Sequence, residues 1–194
     1  MTRGPKGGRL IRMAGKPPDA ASLYEAALNH MARYAATEAG LARVLARRID
    51  RWGKLQGEEA ATEELAQAMR RAKAEIPAVL SRLRELGVVN DAVFAASRAK
   101  RLTREGKSRR ATMAHLAAKG VKTPALPDDP QRELAAACAY LRRRRAGPFG
   151  PAPTDKILAA MARGGFSQSI ARRALALDRE EAETLITSLS ESLT

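Results

Sequence analysis

Apolar residues recur every three or four positions along most of this chain, which is the spacing of one face of an α-helix. One clear stripe is Leu41, Val44, Leu45 and Ile49, and another is Leu134, Ala137, Cys138 and Leu141. No long stretch shows the strict alternation that is typical of a half-buried strand. The pattern therefore predicts an all-α protein of about eight to ten helices.

Residues that begin or end helices flank these stripes. Side-chain oxygens of Ser, Thr, Asp and Asn accept hydrogen bonds from first-turn amides, proline suits the first turn, and glycine adopts the left-handed backbone that ends many helices. The predicted starts are Ser22, Thr37, Pro77, Asn90, Ser108, Asp129, Thr154 and Ser167. The predicted breaks lie near Gly53, Gly87, Gly106, Gly120, Gly147 and Gly164.

Two predicted helices meet at Gly87, and their apolar sides differ in width. The helix before the glycine presents Val79, Leu80, Leu83 and Leu86. The helix that begins at Asn90 has a thinner apolar side, made of Val93, Phe94 and Leu102. We expect these residues to face the core.

A short pattern recurs in residues 79–88, 112–121 and 157–166: an apolar pair, a further apolar residue, then glycine and a hydrophobe. Such recurrence favours small tandem helical units. The predicted organisation is a flexible basic arm (1–19), a first unit (20–88) with an inserted helical stretch near 54–76, and a second unit (89–128) whose third helix is short or missing. A third unit (129–177) and an acidic C-terminal helix or tail (178–194) follow.

The composition shows that the chain carries a strong positive charge. The chain has 194 residues, a formal net charge of +14 and an aromatic content of 4%. A basic balance of this size indicates a polyanionic partner, such as nucleic acid, an acidic protein or a membrane surface. The simpler interpretation is a solvated basic surface without such a partner.

The charge is densest in residues 97–122, where nine Lys or Arg residues accompany one acid, Glu105. We take basic residues of this segment and of the predicted helix that follows it as candidates for binding a filament or DNA. The scarcity of aromatic residues argues against stacking on single-stranded bases. The candidates are Arg98, Lys100, Arg101, Arg104, Lys107, Arg109, Arg110, Lys119, Arg142, Arg143, Arg144 and Arg145.

The sequence offers no pattern for catalysis, a metal or a cofactor. His30, His115 and the single cysteine, Cys138, do not have the spacing of metal ligands, and no phosphate-binding glycine loop occurs. We expect Cys138 to be a small core residue. No apolar run is long enough to span a membrane and no signal peptide is recognisable, so we expect a cytoplasmic protein. We also expect it to be a monomer.

Three stretches, residues 87–95, 101–121 and 158–175, resemble the RecX family, regulatory proteins of the RecA recombinase, and residues 27–48 add weaker support. The resemblance implies an elongated array of three tandem three-helix units that binds in the groove of the recombinase filament and holds back its activities. Two stretches depart from the family pattern. Residues 53–76 read as an insertion, and residues 123–128 are too short and too proline-rich for a helix.

Two other functions fit the same residues. The predicted short helix between Ser108 and Gly120 could form part of a helix-turn-helix, which makes a DNA-binding module the main alternative. A basic scaffold protein of an RNA assembly is the second.

Overall fold

The computed structural model describes residues 15–56, 63–122 and 126–192, and within these ranges it contains ten α-helices, one 3-10 turn and no strand. The prediction of an all-α fold of about eight to ten helices is confirmed. Four parts of the predicted organisation lie outside the described residues: most of the basic arm (1–14), part of the insertion (57–62), part of the proline-rich link (123–125) and the last two residues of the tail (193–194).

The chain divides into two compact units, Met1–Val89 and Asn90–Thr194. The first contains α1 (Ala20–Met31), α2 (Glu38–Leu55), α3 (Glu63–Ala74) and α4 (Ile76–Glu85). Its core joins α1, α2 and α4 through fully buried leucines and an isoleucine, because one face of each helix is apolar. These fully buried leucines and the isoleucine are Leu23, Leu41, Leu45, Leu83 and Ile49.

The second unit is built around a central helix with a small-residue face. It contains α5 (Asp91–Arg104), α6 (Arg109–Lys119), α7 (Pro130–Arg144), the 3-10 turn (Gly147–Phe149), α8 (Thr154–Arg163), α9 (Gln168–Ala176) and α10 (Arg179–Ser192). The alanines and Cys138 of α7 are buried and allow α9 and α10 to pack closely on it. Val121, Lys122 and residues 126–129, between α6 and α7, are not helical.

The predicted unit boundaries after residues 88, 128 and 177 stay predictions. Within the second unit, α5 packs on α7. The division into a unit at residues 89–128, with a short or missing third helix, and a unit at residues 129–177 is likewise untested.

Five predicted helix starts are confirmed by their hydrogen bonds. Thr37, Asn90, Ser108, Asp129 and Ser167 each accept a first-turn amide with the side-chain oxygen. Pro77 lies in the first turn of α4, as predicted. These starts depend on short-range chemistry that is visible in the sequence.

Several local predictions are wrong. The first helix begins at Ala20 and is capped by Asp19, whose Oδ1 accepts from Ser22 N at 2.9 Å, so Ser22 lies inside the helix. Gly53 does not end α2, which continues to Leu55. Thr154 is the first residue of α8, which has no side-chain cap.

Two residues predicted for the core face outward. Leu86 is 61% exposed and Val93 is 64% exposed. Ala99 and Leu102 form the buried side of α5 instead, with Phe94 and Ala95 partly buried beside Ala99. The apolar side of α5 is therefore rotated away from Val93.

Candidate functional site

The one acid in the basic segment, Glu105, joins basic groups from two helices. It follows the last turn of α5, and its carboxylate accepts from Arg101 Nε at 2.8 Å. Its backbone carbonyl accepts from Arg143 Nη1 of α7 at 2.7 Å. The hydrogen bond from Arg101, followed by the charges of Arg101, Arg98 and Arg143, lowers the pKa of the Glu105 carboxyl. The carboxylate therefore stays ionised among these cations.

The turn after α5 is fixed against α7. Gly106 is buried and has a φ of +75°, a left-handed conformation that favours glycine. A Cβ atom at this position would lie 2.5 Å from the backbone nitrogen of Tyr140, so no larger side chain fits. Because the turn packs this closely on α7, the backbone of the next residue, Lys107, is held in place. The side chain of Lys107 is exposed.

The start of α6 is fixed by a buried hydroxyl group. Ser108 is fully buried, and its Oγ accepts from Ala111 N at 3.1 Å and donates to the carbonyl oxygen of Gly164 at 2.6 Å. Gly165, at the turn between α8 and α9, packs so closely that a Cβ atom there would lie 2.7 Å from the same hydroxyl. These contacts hold the first turn of α6, from which Arg110 extends into solvent.

Arg109 is held by contacts inside the second unit. Its Nε donates to the carbonyl oxygen of Leu126 at 3.0 Å, and its backbone N–H donates to Glu133 Oε2 at 2.9 Å. Burial raises the pKa of the Glu133 carboxyl, and the hydrogen bond from Arg109 opposes that rise. Arg109 therefore fastens the link before α7 to the start of α6.

Arg98 is engaged with a histidine on the neighbouring helix. Its Nε donates to Nε2 of His115 at 3.2 Å. Burial, followed by the positive charges of Arg98, Lys119 and Lys107, lowers the pKa of the His115 imidazole. The neutral ring is the form that can accept this hydrogen bond.

The four arginines at the end of α7 are exposed, and the side chains of three of them have a structural contact. Arg142 Nη1 lies 2.8 Å from Glu183 Oε2 of α10, and Arg143 reaches Glu105 as described above. The guanidinium of Arg144 stands 5.3 Å from the ring centroid of Tyr140, and Arg145 ends the helix with a φ of +50°. Arginine near a helix C-terminus also offsets the helix dipole.

A smaller set of candidates points into solvent along residues 100–110. The exposed members are Lys100, Arg101, Arg104, Lys107 and Arg110, which we call the basic face. Within the described residues, Lys100, Lys107 and Arg110 form no ion pair or side-chain hydrogen bond, and Lys119 is exposed at the end of α6. Lys100, Lys107 and Arg110 are thus the members of the basic face whose charge is not engaged by another described residue.

Comparison with known proteins identifies the family of this chain. The chain is 34% identical to the "Regulatory protein RecX" of Myxococcus xanthus over 185 residues, which cover 89% of this chain and 90% of that protein. The chain belongs to the RecX family. It is also 37% identical to the "Regulatory protein RecX" of Thermobifida fusca over 135 residues, covering 62% of this chain and 70% of that protein. No family model matches the chain, and no solved structure matches it.

Groups that could perform chemistry are scarce in this RecX family member. Among the described residues, no three His, Cys, Asp or Glu side chains are placed to hold a metal ion. Burial raises the pKa of the Cys138 thiol to about 11, which keeps it protonated and unreactive near neutral pH. No helix in the described ranges is long and apolar enough to cross a membrane.

Sequence reasoning missed two features of this RecX chain. The first is the buried contact between Ser108 and Gly164, for which the sequence carried only the capping signal of the serine. The second is an exposed row of basic residues on α2 in the first unit, starting with Arg43, Arg47 and Arg51. Their spacing of four residues was the signal that could have revealed this row.

Proposed function

We propose that this RecX family member is a non-enzymatic regulator that inhibits a RecA-type recombinase by binding the recombinase filament on DNA. The observation that carries the proposal is the match to the Myxococcus xanthus protein named "Regulatory protein RecX" across almost the whole length of both chains. The protein acts as a monomer and occupies the filament groove, where a second DNA molecule would have to enter.

The basic face supports this proposal by its charge and its rigidity. Two of its members, Lys107 and Arg110, lie on backbone that is fixed by Gly106 and by Ser108. Cations on a rigid support lose less conformational entropy when they meet a charged partner. In a nucleoprotein filament, the negatively charged partner can be acidic protein surface or DNA phosphate. Contact with bare DNA alone is weak and falls steeply as salt rises.

The side chains also fit a role without catalysis. The Cys138 thiol is buried and protonated, and His115 accepts a hydrogen bond from Arg98 within a basic surrounding. Among the described residues, neither group lies beside a partner that would activate it as a nucleophile or a general base. In this proposal the protein regulates through binding alone. It either covers part of the filament surface or shifts the filament from one conformational state towards another.

Recombinase activity titrated with protein variants tests the proposal. The variant Lys107→Glu with Arg110→Glu reverses two free charges of the basic face. The control Lys156→Glu with Arg172→Glu reverses two exposed charges elsewhere in the same unit. Changes to exposed charges usually alter the free energy of unfolding by no more than about 0.5 kcal/mol, so both variants should melt like the parent.

The parent and the control should inhibit ATP hydrolysis and strand exchange by the recombinase, and the basic-face variant should inhibit more weakly. Equal inhibition by all three proteins would place the contact elsewhere. A parent that leaves the recombinase unaffected would contradict the proposal. Selection of one duplex sequence over others, without any filament, would favour the helix-turn-helix alternative.

A further inference from the structure

The second helix carries a row of basic side chains on the face opposite its buried stripe. The stripe consists of Leu41, Leu45, Ile49 and Gly53, all fully or nearly fully buried. The row consists of Arg43, Arg47, Arg51 and Lys54, all exposed. Since an α-helix advances ~100° per residue, the four row residues lie within an arc of ~80°. We call this set the α2 row.

Three members of the α2 row have no charged partner among the residues that the structure describes. Arg47, Arg51 and Lys54 form no ion pair or side-chain hydrogen bond with any residue that the structure describes. The one acid after the first residue of α2, Asp50, lies with its Oδ1 at 2.7 Å from Lys73 Nζ of α3. Like charges four residues apart on a helix repel each other, so this row disfavours the isolated helix and favours an external anion.

We propose that the α2 row binds the sugar-phosphate backbone of a nucleic acid without reading its sequence. Residues four apart on a helix are ~6 Å apart along its axis, so the row presents a cation every turn over a length of ~16 Å. The arginine guanidinium offers a planar pair of N–H donors that matches phosphate oxygens. Regularly spaced cations of this kind supply the salt-dependent part of nucleic-acid binding.

The composition of the α2 row distinguishes a nucleic-acid partner from an acidic protein. Protein interfaces derive most of their affinity from aromatic or aliphatic anchors at a desolvated centre, surrounded by polar residues. The exposed residues of α2 are five bases and one apolar side chain, Leu55, which is the last residue of the helix. Backbone binding needs no such anchor, because the attraction comes from cations that replace counterions on the phosphates.

This surface is separate from the basic face, which belongs to the second unit. The proposal goes beyond the regulation of a recombinase and does not depend on it. If both are correct, the chain has one anion-binding surface in each compact unit. A chain with two such surfaces can hold a polyanion more tightly than either surface alone, where both can be engaged together.

Binding of the full-length chain to DNA, with no recombinase present, tests the inference. The test variant is Arg47→Gln with Arg51→Gln, and the control is Arg33→Gln with Arg71→Gln. All four arginines are exposed residues of the first unit, and both double variants lower the net charge equally. Glutamine has nearly the helix propensity of arginine, so the α2 helix should persist, and thermal melts check that it does.

The measured quantity is the slope of log K against log salt concentration, for a short duplex of random sequence and for its single strand. For the duplex, the α2 row variant should have a slope smaller in magnitude by about 1.8, at about 0.9 for each lost phosphate contact. The control should keep the slope of the parent. Binding of the same proteins to polyglutamate, an acidic polypeptide, is measured as well.

Each other outcome overturns the proposal. An unchanged duplex slope in the α2 row variant would exclude phosphate contacts by Arg47 and Arg51. Equal slope changes in the test variant and the control would indicate a general effect of net charge. A variant that loses polyglutamate binding and keeps its DNA slope would identify the row as a protein-docking surface. None of these results depends on whether the chain regulates a recombinase.

Discussion

The hydroxyl group of Ser108 shows how much of the second unit depends on single atoms. It serves the first turn of α6 as an acceptor and the last turn of α8 as a donor. A side chain of this size fits because Gly165 leaves room for it. One residue thereby aligns two helix ends that are 56 positions apart in the sequence.

Replacing Ser108 by alanine should destabilise the protein by about 2–3 kcal/mol. The loss of a capping side chain costs about 1 kcal/mol, and a partly buried carbonyl left without its donor adds a penalty of similar or greater size. The matched control is Ser167→Ala at the start of α9, where the serine is exposed, caps the helix and otherwise contacts only the exposed hydroxyl of Ser169, at 3.0 Å. It should cost about 1 kcal/mol.

Chemical denaturation of both alanine variants measures the difference in the free energy of unfolding. Equal losses would show that the hydrogen bond to Gly164 contributes nothing to stability. A larger loss for Ser167→Ala would contradict the assignment of Ser108 as the buried contact.

At the scale of residues, the sequence predicted where the basic side chains are concentrated and not which of them face a partner. Arg109 and Arg110 are adjacent and look equivalent in the sequence. In the structure Arg109 donates to the carbonyl oxygen of Leu126, and Arg110 is exposed. The acceptor lies in an irregular link whose path depends on tertiary packing, and spacing along a helix carries no information about it.

At the scale of elements, two helix ends share a backbone conformation and differ in their surroundings. Gly87 follows α4 with a φ of +70°, and Gly106 follows α5 with a φ of +75°. A Cβ atom at Gly87 would have no neighbour within 4 Å. At Gly106 it would meet the backbone of α7, which cannot move aside as a flexible side chain could.

The pair Gly87→Ala and Gly106→Ala should therefore separate backbone strain from packing. Alanine in a left-handed conformation costs roughly 1–2 kcal/mol, which applies to both positions. Gly106→Ala should cost a further 1–3 kcal/mol, because overpacking forces the turn away from α7. Urea unfolding curves of the two variants give the comparison. Equal destabilisation would mean that the turn shifts freely and does not fix Lys107.

Most helix boundaries could be predicted because caps and glycine stops act over a few residues. Asn90 and Asp129 are examples, and each accepts two first-turn amides. Gly53 was misleading because it packs against a neighbouring helix and does not end its own. It lies inside α2, where a Cβ atom would be 2.5 Å from the sulfur of Met69 on α3. A glycine needed for close helix packing and a glycine that ends a helix look the same in a single sequence.

At the scale of the whole molecule, the acidic C-terminal segment is part of the second core. Ala182, Ile186 and Leu189 of α10 are buried, and α10 packs along α7. The sequence left open whether this segment folds as a helix or serves as a tail. The apolar stripe of this segment is the feature that distinguishes a packed helix from a tail, since a solubilising tail needs no buried face.

Replacing Ile186 by alanine should destabilise the protein by about 3 kcal/mol, as expected for a large aliphatic side chain removed from a core. The control Thr187→Ala changes the next residue, which is exposed, and should be close to neutral. Thermal and chemical unfolding measure both variants. A neutral Ile186→Ala would show that α10 contributes little to the second core.

The chain has one tryptophan and one cysteine, and each lies in a different unit. The indole N–H of Trp52 donates to the carbonyl oxygen of Gly15 at 2.6 Å, so its fluorescence reports on the first unit. Cys138 lies in the core of the second unit, and its thiol can be alkylated only when that core opens. Fluorescence and alkylation rates of the unmodified protein can therefore time the opening of each unit separately, without introduced labels.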